Sequence, residues 1–407
     1  MFLFSFWFYR YQSQKPILPE EPTQVRLGGE VASPPYIKGQ SQYFELGKVQ
    51  IESTAIPVKL GKVRVRTRPS PRFFYGDQLQ LSGKITSYSA MSFPEIKKVG
   101  EEGNPIKKTL FKFRRYLEEI ISQTLPEPEA GLLCGILLGS KHALVYEWEE
   151  IYKTAGLIHV VVASGYNITV LTRFLGSLTR PLGMGISAIT SLLGVLLFTL
   201  MLGGEPPIFR AAIMGMITLW GSYLGRPKDA LRALFFSALV MMLIDPLVID
   251  SLSFKLSFSA ALGLILLATP LQEKFSLLPL KFLGLDEDFF STVSASLFVF
   301  PIISYYFGRI SLGSFLVNTL VLWTIPPSML LGFLTVSFGL LSIRVSQVIG
   351  WFSWALLRFF NLTASFFSRF PLAWEGQIPL GTVFAYYFVL GGLCLLPRIL
   401  SKKERRN

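Results

Sequence analysis

Apolar runs of about 20 residues, the length that crosses bilayer hydrocarbon, recur from Gly156 almost to the C-terminal end. They predict spans at 156–178, 183–202, 206–224, 229–249, 252–269, 289–307, 311–325, 326–342 and 379–397. Ahead of them the period changes. In KVRVRTR (Lys62 to Arg68) and DQLQLSGKI (Asp77 to Ile85) apolar and polar residues alternate between Pro and Gly breaks, which predicts a small antiparallel β domain. Leu110, Phe113, Leu117, Ile120 and Ile121 then recur at helical spacing opposite Lys112, Arg114 and Arg115. This predicts an amphipathic linker helix on the membrane surface, ended by Pro126 and Pro128. The patch Leu132 to Leu138, closed by Gly139, is too short to span and reads as a re-entrant or buried segment. Between the eighth and ninth spans, Trp351, Trp354, Phe359 and Phe360 mix with Arg358, Asn361 and Arg369. That mixture predicts a helix along the outer interface, with a tenth span as the alternative.

The chain thus divides into a short apolar segment (1–15), a β domain (16–98), the linker helix (99–130), a membrane domain (131–342), an interfacial helix with the last span (343–400) and a basic tail (401–407). The expected fold is an α-helical polytopic membrane protein of about nine transmembrane helices plus interfacial helices, with a small N-terminal β-barrel. Composition agrees: mean hydropathy is +0.47 and 16% of residues are charged. Met1 to Tyr9 is apolar but half a span long, the remnant of an anchor or an aromatic interfacial foot.

Charge orients the spans. GRPKD (Gly225 to Asp229) and SKKERR (Ser401 to Arg406) carry clustered cations, whereas the turns at 203–205 and 245–250 carry none. By the positive-inside rule the first pair is cytoplasmic, so the β domain is external and the C-terminus cytoplasmic. The formal net charge of +13 implies contact with a polyanion or anionic lipid headgroups. Cys134 and Cys394 sit in apolar runs and read as packing residues, and the two histidines, His142 and His159, are too few for a hydrolytic zinc site. No metal and no cofactor is expected, and no phosphate-cradling glycine loop is present.

Several polar residues interrupt the apolar stretch. GLIHVVVASGYNITVL embeds His159, Ser164 and Asn167, with Gly165 beside Ser164 as a place where the helix breaks or a backbone approaches closely. Arg210 follows Pro206-Pro207 at the start of the third span, Lys255 opens the fifth, and Asn318 lies in an otherwise apolar seventh. Each has two readings, a hydrated path or bonds between packed helices and snorkelling to the interface. His159 and Ser164 are five apart and share a helix face only if the helix breaks near Gly165. On the β domain Lys62, Arg64, Arg66 and Arg68 alternate with Val63, Val65 and Thr67, forming a basic stripe that is either a solvated face or a polyanion contact.

The ordered blocks GLIHVVVASGYNI, PPIFRAAIMG, DPLVIDSLSFKLSFSAALGL and FGRISLGSFLVNTLVLWTIPP resemble the membrane domain of the ComEC family of bacterial competence proteins. The resemblance covers about Gly131 to Pro327, and the β domain with its GDQLQLSGKI ending resembles the family's external OB-like domain. It implies a channel passing single-stranded DNA across the cytoplasmic membrane. His159, Ser164, Gly165 and Asn167 fall on one family block, Arg210 on a second, and Phe254, Leu256, Ser257 and Phe258 on a third, where Lys255 replaces the usual Gln. It also implies a DNA-binding surface of Lys62, Arg64, Arg66, Arg68 and Arg72, with Phe73, Phe74 and Tyr75 for stacking on bases. The metallo-β-lactamase-like domain of longer members has no counterpart here, so the expectation is a non-enzyme. A DNA receptor, a separate nuclease and a cytoplasmic helicase or strand-binding protein are then the implied partners, with the lipid bilayer. The rival readings are a transporter of small solutes or lipid-linked precursors, and a membrane anchor that displays the β domain.

Overall fold

The computed structural model describes residues 2–16, 21–54, 60–86, 89–101, 103–140, 144–161, 164–203, 206–223, 229–275, 286–311, 313–370 and 373–404. The GRPKD loop except Asp229, the end of the tail, His142 and Glu205 lie outside them.

Seven strands form the N-terminal sheet: β1 (Thr23–Val31), β2 (Tyr36–Lys38), β3 (Ser41–Thr54), β4 (Val63–Thr67), β5 (Asp77–Ile85), β6 (Ala90–Ser92) and β7 (Glu95–Glu101). β1 pairs antiparallel with both β3 and β5, β3 with β4 and β5 with β6, while β4 and β6 pair in parallel. The ring β1-β3-β4-β6-β5 is therefore closed, and it is the five-stranded OB-like barrel. Alternation builds it: Val63, Val65 and Thr67 of β4 and Leu79, Leu81 and Ile85 of β5 turn inward to meet Val25, Leu27, Phe44 and Leu46. A Cβ on Gly29 would lie 2.8 Å from the Leu46 side chain, so β1 needs glycine at the irregular pairing where it bends across β3.

α1 (Phe2–Gln14) carries Arg10, whose guanidinium donates to the carbonyls of Leu243 (2.5 Å) and Ile244 (3.3 Å), and Tyr11, which donates to Asp250 at 2.9 Å. The apolar N-terminus is thus a helix docked on the turn at 245–250.

α2 (Pro105–Thr124) starts where Asn104 accepts from the Ile106 and Lys107 amides with Pro105 in the first turn. Arg114, expected on its polar surface, is instead buried. It donates to Glu118, to Ser140 Oγ and to the Met201 carbonyl, clamping the linker to the ends of two other helices. α3 (Glu129–Leu138) is buried along its whole length and ends on left-handed Gly139.

The bundle continues through α4 (Tyr146–Ala155), α5 (Ile158–Val161), α6 (Gly165–Thr179), α7 (Met184–Met201), α8 (Pro206–Tyr223), α9 (Ala230–Ile244) and α10 (Leu252–Gly263). α11 (Thr269–Lys274), α12 (Asp286–Phe307), α13 (Ser314–Val321), α14 (Ile325–Gly339), α15 (Ile343–Ser368) and α16 (Leu380–Glu404) complete it. Among the described residues, five candidate spans are long and apolar enough to cross a membrane: 158–182, which runs over the undescribed 162 and 163, then 184–201, 252–274, 286–307 and 314–339. The last of these joins two expected spans. Pro326 and Pro327 stand in the first turn of α14, where no intrahelical N–H is needed, so they start a helix rather than break one.

α15 runs antiparallel along α13 and α14, with Ser346 Oγ donating to the Thr335 carbonyl at 2.8 Å and the Phe359 ring 5.7 Å from that of Trp323. It buries Ser346, Gly350, Ser353, Leu357, Phe360, Asn361 and Ala364 while Val348, Trp351, Phe352, Leu362 and Phe366 face outward.

Candidate functional site

α7 returns the chain between α6 and α8, and α9 returns it between α8 and α10, so α6, α8 and α10 are parallel and present their N-termini at one end of the bundle. The α6 and α10 ends carry partial positive charge from their first amides, whereas α8 opens with Pro206 and Pro207, which have no N–H to present. Arg210, on the second turn of α8, lies among them. Its Nη1 donates to the Ser257 carbonyl of α10, and its Cζ lies 6.0 Å from the Phe258 ring centroid. A Cβ on Gly165 would come within 2.8 Å of Nη2 and 3.2 Å of the Ala211 Cβ, so the first turn of α6 sits directly against this guanidinium.

No ion pair joins Arg210 to a carboxylate among the described residues, and no charged neighbour acts on it there. Its Nε is enclosed without a hydrogen-bond partner among those residues, as is the Oγ of buried Ser257. A half-buried cation beside partial positive charges, with unused donors, is an arrangement suited to an anion. Asp288 and Glu287 of α12 and Arg173 of α6 act electrostatically on Tyr166, beside Gly165, rather than on Arg210.

The structure therefore brings together Gly165, Arg210 and Ser257, while the neighbouring Ser164 donates its hydroxyl to Asn167 Oδ1 at 3.3 Å. α5 ends at Val161 and α6 begins at Gly165, with Ser164 extended between them, so the helix does break here; 162 and 163 lie outside the described residues. His159, on α5, has an exposed side chain.

Other expected residues are placed differently. Asn167 is buried and donates to the Ile136 carbonyl at 2.7 Å, which ties α6 to α3. Lys255, two residues from Ser257, points to the opposite side of α10 and donates to Tyr306 Oη of α12 at 3.1 Å. Asn318 is buried on α13, whose Val317 and Val321 share a core with Val160 and Val161; its Oδ1 has no partner among the described residues.

On the barrel, Arg64, Arg66, Arg68 and Arg72 are exposed, and Lys62 is exposed but 3.6 Å from Glu45. Phe73 is a correction: at 5% exposure it packs on Phe44 inside the barrel and has no face for a base, because the chain turns inward there before β5. Tyr75 packs edge-on against Phe111 of the linker helix, and exposed Phe74 lies under Arg115. A cluster that the sequence reading missed crosses the outer face instead. Tyr36 stacks on Tyr43 at 5.4 Å, and the Arg66 guanidinium lies 5.7 Å from the Tyr43 ring and 5.1 Å from Phe93. The signal for its first half was present: in YIKGQSQY a hairpin turning at Gly39-Gln40 sets Tyr36 opposite Tyr43. Phe93 joins only through the parallel pairing of β4 with β6, which no local pattern announces.

Two further groups fix the assembly. Tyr152 Oη donates to Asn361 Oδ1 at 2.6 Å, and Glu129, almost wholly buried, accepts from Asn361 Nδ2 at 3.2 Å and Arg358 at 3.3 Å. At the barrel's edge, hydrogen bonds from Lys98 and then Lys108 hold the Glu101 carboxyl down at about 2, and Asp77 followed by Glu101 raises Lys98.

Comparison with known proteins agrees with this architecture. ComE operon protein 3 of Bacillus subtilis (strain 168) is 26% identical over 304 residues, 73% of this chain and 36% of that protein. An uncharacterized protein of Aquifex aeolicus (strain VF5) is 32% identical over 167 residues, 40% of this chain and 38% of that one. The matched stretch spans little more than a third of each of these relatives. No solved structure matches. The model of the family described as Competence protein matches residues 136–399, and on that match the chain belongs to the competence protein family, as a ComEC-type member with a polytopic helical domain and an OB-like barrel.

Proposed function

We propose that this chain conducts single-stranded DNA across the cytoplasmic membrane, taking the strand at the barrel and passing it through the helical domain beside His159, Ser164, Gly165, Arg210 and Ser257. One observation carries the reading most: a half-buried arginine with no carboxylate partner among the described residues, set against the N-terminus of α6. A polyanion supplies the missing charge in transit and moves on, because a single cation holds any one phosphate loosely. Lys255 belongs to the outer mouth, where Tyr306 holds it. Asn167 and Asn318 set the walls. The chain crosses the membrane several times, with the barrel outside and the C-terminus in the cytoplasm, and it works with a DNA receptor, a nuclease and a cytoplasmic strand-binding or helicase partner. Its own part is conduction.

A second reading, a transporter of small anions, draws on the same arginine. The two separate in proteoliposomes. Labelled single strands should enter in a manner that Arg210→Leu abolishes, whereas a passage open to free phosphate and closed to an oligonucleotide favours the small-anion reading. Cysteine placed at Ser164 should react with a hydrophilic thiol reagent and be protected by DNA in transit; an inert thiol argues for a dry packing contact.

A further inference from the structure

The aromatic cluster on the barrel is a ladder in register. Tyr36 of β2 pairs with Tyr43 of β3, Tyr43 with Arg66 of β4, and Arg66 with Ser92 of β6, immediately before Phe93. Four flat groups on adjacent strands therefore stand in one row. Ser41 Oγ, accepting from Arg66 Nε at 3.1 Å, fixes the guanidinium in the row.

Cross-strand pairs of this kind stabilise a sheet, but that account leaves Phe93 unexplained. Its ring is 52% exposed and its backbone sits at φ +51, a conformation that costs energy for a bulky residue. A hydrogen bond from its amide to the Arg66 carbonyl, 2.7 Å, holds it there. Strain maintained to keep an aromatic face in solvent points to a ligand for that face.

The row's spacing says where the ligand goes. Neighbouring groups are 5.1 to 5.7 Å apart, and a base needs about 7 Å between two planes, twice the stacking distance of about 3.4 Å. None can slip inside. Only the ends are open, and Phe93 at 52% is the more exposed of the two, against 37% for Tyr36. Arg68, exposed and just past the end of β4, two residues beyond Arg66, is available for a phosphate.

We propose that Phe93, backed by Arg66, is the stacking platform for one unpaired nucleobase of single-stranded DNA, with Arg68 on the adjoining phosphate. The choice of ligand rests on the conduction reading, and the platform adds a requirement for bases that the charges alone do not impose. A duplex hides its base faces and is a poorer ligand.

The test uses the full chain in nanodiscs and fluorescence polarisation with a 12-nucleotide oligothymidylate and an abasic oligomer of equal length and charge. The oligothymidylate should bind about fivefold or more tighter than the abasic strand at the same salt. Phe93→Asn, a residue that accepts positive φ, should erase that ratio without lowering the unfolding temperature, and Phe93→Trp should restore it. Equal affinities for the two oligomers in the wild type would overturn the proposal. So would a ratio that survives Phe93→Asn, or displacement of both strands by an N-acetylglucosamine oligomer that needs Phe93. Because the ratio is read from binding, a failure of transport in liposomes leaves it standing.

Discussion

Arg210 offers the sharpest separation of transport from architecture, because its two roles predict opposite effects of removing it. As a path residue it attracts phosphate: a phosphate about 4 Å from the guanidinium gains about 4 kcal/mol at an effective dielectric of about 20 and about 1 kcal/mol in water. At about 1.4 kcal/mol per tenfold, losing that attraction lowers occupancy between about fivefold and a thousandfold. As a structural residue it supplies one hydrogen bond to the Ser257 carbonyl, worth about 1.5–3 kcal/mol, against a desolvation cost of several kcal/mol per buried ion. The second pair of terms nearly cancels. Arg210→Leu should therefore unfold at the wild-type temperature or slightly above it, yet reduce strand uptake into proteoliposomes at least tenfold. Arg210→Lys keeps the charge and loses the planar fork, so uptake should fall by less. Normal transport by the leucine variant, or a drop of several degrees in its unfolding temperature, would make Arg210 a packing bolt and end the argument for an anion path.

The network behind the site can be taken apart in steps. Asn361→Leu strands buried Glu129 beside half-exposed Arg358 and leaves the Tyr152 hydroxyl without its acceptor, a cost of about 3–5 kcal/mol seen as a lower unfolding temperature. Adding Glu129→Leu and Tyr152→Phe should recover part of it, and no recovery would refute the network. In α12, Pro301 cannot donate to the Leu297 carbonyl, which accepts from Tyr386 Oη at 2.9 Å instead. Tyr386→Phe should cost about 1 kcal/mol in the wild type and much less in a Pro301→Ala background, where a backbone amide is restored. Equal costs in a double-mutant cycle would exclude that exchange. Glu101, held near 2 against a usual 4.5, lends stability that is present above pH 4.5 and lost as pH falls toward 2. Deuterium exchange at the β7–α2 junction, compared at each pH with Glu101→Gln, should converge with the variant below about pH 3; a constant gap down to pH 2 would count against it.

How much of this could be read from the sequence depends on the distance over which each feature is specified. The barrel was legible because KVRVRTR and DQLQLSGKI alternate strictly, and alternation is a local property. So was the break near Gly165, since small residues amid an apolar run leave few alternatives. The join of 311–325 with 326–342 was not, because paired prolines end one helix or open the next depending on whether a helical turn already precedes them. Phe73, Phe74 and Tyr75 are equivalent as letters; which of them faces inward is decided by where the chain meets β5 and the linker helix. Arg114 looked like a surface cation by helical phase alone, and its burial depends on Ser140 and Met201 arriving from two other elements.

The same distinction explains why the candidate path resolves into fewer residues than its polar letters suggest. Lys255 and Ser257 stand two apart, about 200° around a helix, so α10 cannot turn both toward Arg210. The bundle gives that side to Ser257, whose carbonyl takes the guanidinium, and gives Lys255 to Tyr306. Losing the lysine does not leave the site less positive in the same proportion, because the up-and-down connectivity also turns the amide ends of α6 and α10 to this side. Positive character built from backbone cannot be paired away by a nearby carboxylate or titrated by pH, and it exposes no strong single charge on which a phosphate would stall. For a passage that must admit a polyanion and release it one phosphate at a time, a single arginine among helix ends is better suited than a ring of lysines.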